Sequence, residues 1–176
     1  VSTHDRLGGA AIAAYRLMEA LNNNGGDAKM LVLNKQSNNP KVFQVGSRLM
    51  NKFRFILERL TIFINNGFSK KNLFDISIAN TGVSIINHPA FKQADIIHLH
   101  WINQGMLSIK EIGEILSLGK KVVWTMHDMW PFTGVCHHAG LCNHFEKECG
   151  MCPYLKNPSK KDLSQIFFKP SIFIFY

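Results

Sequence analysis

Polar side chains and glycines gather where three predicted strands end. They are His4, Asp5, Gly8 and Gly9 after the first strand, His100, Trp101 and Asn103 around the end of DIIHLHW, and His127 and Asp128 at the end of VVWTMHD. In an open parallel α/β sheet the ligand crevice lies beyond the carboxyl ends of the strands. Clusters at three separate strand ends therefore predict one binding site, because chance explains a single cluster more easily than three.

His127 is the strongest candidate for a catalytic role. A histidine beside an aspartate at a strand end can hydrogen-bond a sugar hydroxyl or a phosphate, and its charge changes near neutral pH. The glycine pair Gly8-Gly9 suits a tight turn as well as a phosphate, and without a full G-x-G-x-x-G it does not favour a nicotinamide cofactor. His98 and His100 alternate to one side of a strand, so we expect at least one of them to be a hydrogen-bonded core residue.

All four cysteines lie within 17 residues, with the spacing C-x5-C-x6-C-x2-C: Cys136, Cys142, Cys149 and Cys152. Cytoplasmic disulfides are rare and clustered thiolates suit tetrahedral zinc, so the pattern predicts a structural zinc that holds a long loop. The C-x2-C half is a good chelate spacing, whereas the two longer gaps match no standard zinc finger. Free or partly oxidised thiols are the alternative interpretation.

Strand and helix patterns alternate along the chain and predict the elements that position these residues. The predicted strands are 1–3, 28–33, 83–86, 95–101 and 120–128, and the predicted helices follow the glycine pair and cover 88–93, 108–118 and 162–169. Ser108 and Glu111 have the spacing of a capping box at the start of one helix. The alternation predicts an α/β fold with a doubly wound parallel sheet.

The longest helical pattern covers 47–66. Its broad apolar stripe is the face that we expect to be buried, namely Leu49, Phe53, Ile56, Leu57, Leu60, Phe63 and Ile64. The other face combines apolar and basic side chains and predicts docking on an anionic membrane surface; it holds Phe55 and Ile62 near Arg48, Lys52 and Arg59. A solvated basic face with two incidental hydrophobic residues is the alternative.

Composition places the chain among globular proteins. Of its 176 residues 46% are hydrophobic and 18% charged, which excludes a disordered protein. No run approaches the roughly 20 apolar residues that span a bilayer, and no leader-peptide pattern occurs, so we expect a cytoplasmic location. The net charge is +8, and seven basic residues against one acidic residue lie in 41–71. Such a patch attracts lipid headgroups, nucleic acid or a phosphorylated substrate.

The motifs GGAAIAAYRLMEAL, DIIHLHWINQGMLSI, VVWTMHDMWPFTGVCHH and the following C…C…CxxCP extend over nearly the whole chain. Together they resemble the N-terminal domain of GT-B-fold glycosyltransferases of family 4, especially bacterial members that build capsular, colanic-acid-like or other surface polysaccharides. The resemblance implies a Rossmann-like domain that binds a sugar or lipid-linked sugar acceptor. It also implies a C-terminal twin domain that holds the nucleotide-sugar donor, and hexosyl transfer with retention of configuration.

The resemblance also assigns roles to the site residues. His127 is expected near the transferred sugar, Gly8 and Gly9 near the donor phosphates or the acceptor, and Trp101, Asn103 and Asp128 along the same crevice. Several relatives dock on the inner membrane through a basic amphipathic helix. This fits 47–66 and predicts a peripheral location at the inner face of the membrane.

The chain departs from the family pattern at both ends. Compared with the family pattern, we expect most of the first strand and the donor domain to be missing from 1–176. We therefore expect 1–176 to be a single acceptor-binding domain with a Cys/His-rich loop at 129–153, a fragment or truncated product that is inactive alone. The terminal IFFKPSIFIFY would normally continue into another strand.

Two other function classes stay open. One is a nucleic-acid-binding module that uses the basic patch and a zinc loop, and the other is a membrane-surface domain without chemistry of its own. The basic residues lie on one helix without a base-stacking platform, and the cysteine spacing matches no common finger. We therefore expect no nucleic-acid partner.

Overall fold

The computed structural model describes residues 1–168, which form two compact units. The first unit contains Val1–Phe55 and Ala79–His127, and the second contains Ile56–Ile78 and residues 128–168. The single domain predicted for 1–176 includes residues outside this described part. Among the described helices, none combines the length and the apolar character needed to cross a membrane.

The described residues contain five strands and five α-helices, which alternate except that β2 and β3 are consecutive, as are α2 and α3. The strands are β1 (Ser2–His4), β2 (Met30–Asn34), β3 (Val42–Gln44), β4 (Ile96–Leu99) and β5 (Lys121–Trp124), and the helices are α1 (Gly9–Asn23), α2 (Arg48–Asn65), α3 (Pro89–Gln93), α4 (Ile109–Ser117) and α5 (Leu163–Ile166). The capping box of Ser108 and Glu111 at the start of α4 is confirmed. The strand predicted at 83–86 is wrong, and β3 was not predicted.

All strand pairs of the first unit are parallel. One sheet has the order β1-β2-β3, and β4 pairs with β5. Backbone hydrogen bonds also join β1 to the end of β4: the Val1 carbonyl accepts from His100 N–H at 3.0 Å, and the Val1 nitrogen donates to His98 O at 2.6 Å. Thr3 N–H donates to Trp101 O at 2.8 Å. The order across the unit is therefore β3-β2-β1-β4-β5, which is consistent with a Rossmann-like sheet.

The backbone conformation just before α1 favours a glycine. Gly8, just before the helix, has φ +85°, a conformation that residues with a Cβ rarely adopt. The buried face of α1 belongs to one apolar cluster with β2 and β3, formed by Ala14, Tyr15, Met18, Met30, Val32 and Val42. This packing fixes α1 against the sheet, so that the helix starts close to the end of β1.

The apolar face of α2, which the hydropathy pattern placed in the core, is exposed to solvent. Leu49 is 82% exposed, Phe53 57% and Leu60 48%, and Ile56, Leu57 and Ile64 are exposed as well. The buried side chains of α2 are Asn51, Glu58, Arg59 and Ile62. The prediction of a buried apolar stripe was therefore wrong. The docking face predicted around Ile62 and Arg59 was also wrong, because both side chains are buried.

Hydrogen bonds explain why a polar side chain is buried in the first half of α2. Nδ2 of Asn51 donates to the carbonyls of Leu33 at 2.8 Å and Val45 at 2.9 Å. These two carbonyls belong to β2 and to the residue after β3. A buried carbonyl that loses its partner costs about 1–3 kcal/mol, whereas a single exposed leucine is common on protein surfaces. The polar contacts therefore decide which face turns inward.

In the second half of α2, hydrogen bonds again explain why polar side chains are buried, here those of two adjacent charged residues. Oε1 of Glu58 accepts from Ile78 N–H at 2.9 Å, and Nη1 of Arg59 donates to Ile76 O at 2.8 Å. The two side chains also form an ion pair, with 3.1 Å between Glu58 Oε2 and Arg59 Nη2, and both are almost fully buried. The pair therefore fixes the segment at 76–78 against the helix.

The core of the second unit surrounds this segment. Ile76 forms an antiparallel bridge with Cys136, and Ser77 N–H donates to Val135 O at 2.8 Å. Ile62, Ile78, Val135, Leu155 and Leu163 are among the buried side chains of the cluster. Asp162 caps α5 by accepting from Ser164 N–H at 2.9 Å. The predicted helix at 162–169 is thus shorter, and residues 169–176 of the terminal apolar stretch lie outside the described residues.

Replacing Arg59 by methionine should destabilise the folded chain, because it leaves the carboxylate of Glu58 buried without its cation. The expected loss in the free energy of unfolding is about 3 kcal/mol, measured by urea denaturation followed through tryptophan fluorescence. Arg48→Met is the matched control, since Arg48 is exposed on the same helix and its replacement should cost less than about 0.5 kcal/mol. Equal urea midpoints for the two variants would contradict the role assigned to the pair.

Candidate functional site

The side chain of Thr3 ties the end of β1 to the chain that follows β4. Its Oγ1 donates to Asn103 O at 2.7 Å and lies 3.1 Å from Trp101 O. His4, the last residue of β1, and Asn103, which follows β4, therefore lie at the same edge of the sheet. Each carries a buried polar atom without a hydrogen-bond partner among the described residues, Nδ1 of His4 and Oδ1 of Asn103. Because buried polar groups are nearly always paired, with protein or with ordered water, these atoms are available to a water molecule or to a polar ligand.

Three histidine rings stack at the carboxyl ends of β4 and β5. The ring centroids of His98 and His100 are 4.3 Å apart, and those of His100 and His127 are 5.3 Å apart. Nδ1 of His100 lies 3.0 Å from Nε2 of His127, within hydrogen-bonding distance. Nε2 of His98 is 2.7 Å from Oγ1 of Thr125. The structure thus brings His100 and His127 together, and adds His98 and Thr125 to the group.

The ends of the two strands hold these rings in place. Trp124 donates from Nε1 to His100 O at 3.0 Å, and Thr125 N–H donates to Leu99 O at 2.9 Å. The first contact attaches the Trp124 side chain to the residue after β4, and the second extends the parallel pairing to Thr125, the residue after β5. His100 is 6% exposed, whereas His127 and Trp101 are half-buried. His127 is therefore the ring of the pair that a ligand reaches more easily.

Burial keeps His100 uncharged at neutral pH. Loss of surrounding water lowers the pKa of His100 well below its usual range, and the nearby His98 and His127 imidazoles lower it further. Burial also lowers the pKa of His98 and of His4. A neutral imidazole has one N–H donor and one acceptor nitrogen, so the His100 ring can fix both the orientation and the tautomer of His127. This is what a ring needs if it is to hydrogen-bond or protonate a ligand in a defined geometry.

The glycine pair leaves the start of α1 open to a ligand. A Cβ placed on Gly8 or Gly9 would meet no atom within 4 Å. Gly8 has no side chain that could cap the 15-residue helix, although its carbonyl accepts from Ile12 N–H at 3.1 Å. An uncapped helix N-terminus after a parallel strand suits an anion, because backbone N–H groups and the helix dipole both favour negative charge. The structure therefore permits the predicted approach of a phosphate.

Asp5 has a structural role beside this turn. Its carboxylate accepts from Gln36 N–H and Ser37 N–H, both at 2.8 Å. Burial alone would raise the pKa of Asp5, but the hydrogen bonds from Ser37 and Gln36 outweigh it and lower the pKa. Asp5 therefore ties the end of β1 to the loop after β2.

Asp128 belongs to a buried network in the second unit. Its Oδ2 lies 2.7 Å from Nδ1 of His137, and its Oδ1 accepts from Trp130 N–H at 3.0 Å. Nε2 of His137 lies 3.0 Å from Oγ of Ser77. Sequence reasoning did not find this network, because Ser77 is distant in the chain and carries no motif. The predicted contact of Asp128 with a substrate stays a prediction.

Serine, histidine and aspartate are linked in this network in the same order as in a hydrolase triad. Their surroundings, however, indicate a structural role. Ser77 is fully buried, so a substrate cannot reach its hydroxyl. Nη2 of Arg59 also lies 3.3 Å from that hydroxyl oxygen, and the Ser77 carbonyl accepts from Trp130 Nε1 at 2.8 Å. The network therefore links three segments of the second unit and does not form a nucleophile.

The four predicted metal ligands all line one cleft of the second unit. They are Cys136, Cys142, Cys149 and Cys152, and all are free thiols. Burial raises the pKa of Cys136, and it raises the pKa of Cys152 to about 11. In the described conformations, however, no three His, Cys, Asp or Glu side chains are arranged to hold one metal ion.

Acidification should destabilise the folded chain partly through His100. Because folding lowers the pKa of His100, the unfolded chain takes up a proton that the folded chain does not. Stability that is present above the ordinary pKa of 6.5 is therefore lost as the pH falls below it. Urea denaturation from about pH 7.5 to about pH 5 should give a smaller loss for His100→Gln than for the wild type. The exposed His138, replaced by Gln, is the control; an unchanged loss in His100→Gln would refute the explanation.

Comparison with known proteins gives a partial match. The chain is similar to a colanic acid biosynthesis glycosyltransferase of Escherichia coli (strain K12), with 28% identity over 123 residues. The aligned region covers 68% of this chain and 28% of that protein, so the chain spans little more than a quarter of its relative. No protein-family model matches the chain. No solved structure matches it either.

Proposed function

We propose that this chain is the acceptor-side domain of a glycosyltransferase that moves a sugar from a nucleotide-sugar to a polysaccharide or lipid-linked acceptor. The observation that carries the proposal is the His100–His127 pair at the carboxyl edge of the sheet, where open parallel sheets bind ligands. The similarity to a colanic acid biosynthesis glycosyltransferase supports the reaction class. Roles in capsule synthesis and at the inner face of the membrane belong to the same proposal.

The proposal includes a finer assignment of the fold. The chain is then the first of two Rossmann-like domains of a GT-B glycosyltransferase of family 4. The donor nucleotide-sugar binds mainly to the second domain, and a hexosyl group is transferred with retention of configuration. The strand order β3-β2-β1-β4-β5 supports this assignment, since it follows the strand order of a doubly wound Rossmann sheet.

Each site residue has a physical role in this reaction. The open start of α1 at Gly8 and Gly9 offers backbone N–H groups to a phosphate of the donor or acceptor. His127 hydrogen-bonds the transferred sugar, and His100 positions its ring. The unpaired Oδ1 of Asn103 accepts from a sugar hydroxyl, while Trp101 offers an aromatic face. These groups accelerate transfer by positioning the sugar and by stabilising charge as the nucleotide diphosphate leaves.

Replacing His127 by alanine in the full-length enzyme should lower turnover by about 100-fold, because the transition state loses a positioned hydrogen-bonding group. The measurement is transfer of labelled sugar from a panel of nucleotide-sugars to membrane-extracted acceptors. The control is His138→Ala, which removes an exposed histidine of the second unit. We expect both variants to keep the wild-type melting temperature within a few degrees. Full turnover by a folded His127→Ala enzyme would exclude the assigned role.

A second part of the proposal concerns docking on an anionic membrane through α2. The exposed apolar stripe of this helix, defined as Leu49, Phe53, Ile56, Leu57, Leu60 and Ile64, follows the helical repeat along its whole length. Contiguous exposed apolar surface of this kind marks an interaction site. Arg48 and Lys52 are exposed on the same helix, and Lys70 and Lys71 follow it. An apolar stripe with neighbouring cations fits a bilayer with anionic headgroups.

The arrangement of the cations disfavours nucleic acid as the partner. Arg59 is held in its buried pair with Glu58, and Nη1 of Arg54 donates to Asn51 Oδ1 at 3.2 Å. The exposed face of α2 is therefore mainly apolar, whereas nucleic-acid surfaces need clustered cations for the phosphates. This observation favours the membrane over the nucleic-acid alternative.

Leu60→Glu should weaken binding of the chain to anionic phospholipid vesicles by about tenfold, because a leucine leaves the apolar contact. Leu118→Glu is the matched control, since Leu118 is 50% exposed against 48% for Leu60 but lies at the end of α4. Vesicle co-sedimentation with anionic and with neutral lipids measures the binding. Equal binding of both variants would rule out docking through the stripe. A lipid-free dimer that only Leu60→Glu dissociates would instead assign the stripe to a second copy of the chain.

A further inference from the structure

The long loop of the second unit has little to hold it in place. Between residues 138 and 161 the described chain contains only a 3₁₀ turn at His144–Glu146. Only four side chains of this range are buried, namely Ala139, Cys149, Cys152 and Leu155. Leu141 is fully exposed and Met151 is 51% exposed. Ordered loops of this length without secondary structure are uncommon in compact proteins, so this loop needs a stabilising element beyond its apolar contacts.

Cysteine is the commonest residue type in the lining of the cleft beside this loop. The four cysteines line it together with His144 and Tyr154, and no Asp or Glu of the described residues lines it. Three of the cysteines are 5–8% exposed, and Cys142 is half-buried. Nδ1 of His144 lies 2.8 Å from Gly150 O, so this ring makes a hydrogen bond within the loop itself. Four of the donor-bearing residues of the cleft therefore offer soft sulfur, and the other four are Thr133, His144, Tyr154 and Ser164.

The backbone around the cleft is fixed on one side. A Cβ on Gly134 would lie 1.8 Å from Ser164 O, so only glycine fits between this segment and α5. Gly134 N–H also donates to Sγ of Cys149 at 3.3 Å. A backbone N–H directed at a sulfur supports negative charge on that sulfur. This side of the cleft is thus already arranged around a cysteine sulfur.

We propose that Cys136, Cys142, Cys149 and Cys152 bind one structural zinc ion, which ties the loop to the core of the second unit. Soft thiolate ligands select zinc over magnesium or calcium, and four of them complete a tetrahedral structural site. Each thiol releases its proton to solvent as its Zn–S bond forms, so the step needs no oxidant or reductant. No three of these side chains are arranged to hold one ion in the described conformations, so the proposal requires the thiols to turn towards the ion by changing side-chain rotamer. The site does not depend on glycosyl transfer.

The first test is the metal content of the purified chain, produced with zinc in the medium and dialysed without chelator. Elemental analysis should find one zinc per chain. Cobalt(II) exchanged into the site should give the absorption bands of tetrahedral thiolate coordination, and removal of metal with a chelator should lower the melting temperature. A folded chain that contains almost no metal and four free thiols would refute the proposal. A mass deficit from one or two disulfides would refute it as well.

The second test compares two neighbouring substitutions. Cys142→Ser removes the most exposed of the four ligands and should lower zinc affinity by at least about tenfold, measured by competition with a chromogenic chelator. Leu141→Ser is the matched control, since it changes the adjacent, fully exposed residue and should keep wild-type affinity. Wild-type zinc affinity in Cys142→Ser would overturn the four-cysteine site. If that variant fails to fold, the metal content and cobalt spectrum of the wild type decide the question.

Discussion

The short strand β1 is the constraint on which the site depends. It is three residues long and receives hydrogen bonds from β2 on one side and from the chain around the end of β4 on the other. These bonds bring the turn at Gly8, the end of β4 and the His100–His127 pair to one edge of the sheet. Thr3 adds a side-chain contact to the same junction. Loss of this junction would separate the groups that could bind a ligand, even if each strand stayed folded.

Local patterns in the sequence were sufficient to predict much of this unit. The alternation of buried strands with capped helices predicts parallel pairing, and Ser108 and Glu111 form the capping box that their spacing indicates. Because parallel strands end at the same edge, the residues after them could be grouped before any contact was known. His100 and His127 do form a hydrogen-bonded pair. Their contact with a substrate is not visible in the fold and stays a prediction.

Contacts between distant polar residues could not be predicted in the same way. Hydropathy placed the leucines of α2 in the core, yet Glu58 and Asn51 are buried because distant backbone groups need their side chains as partners. Such pairing leaves no periodic signal in a single sequence. The same reason hid the link from Ser77 through His137 to Asp128. The four cysteines that spacing grouped line one cleft, but spacing alone does not give the direction of each thiol, and their binding of a metal stays a prediction.

Because the leucines of α2 are exposed, the solubility of this chain and the stability of its fold can be changed separately, although the two usually change together. In most helices a leucine-to-polar change that improves solubility also removes core packing and lowers stability. Here the exposed apolar side chains take little part in the folded core, since Leu49 and Phe53 are mostly exposed. Polar substitutions along this stripe should therefore adjust the colloidal behaviour of the chain, its tendency to self-associate in concentrated solution, with little effect on its fold.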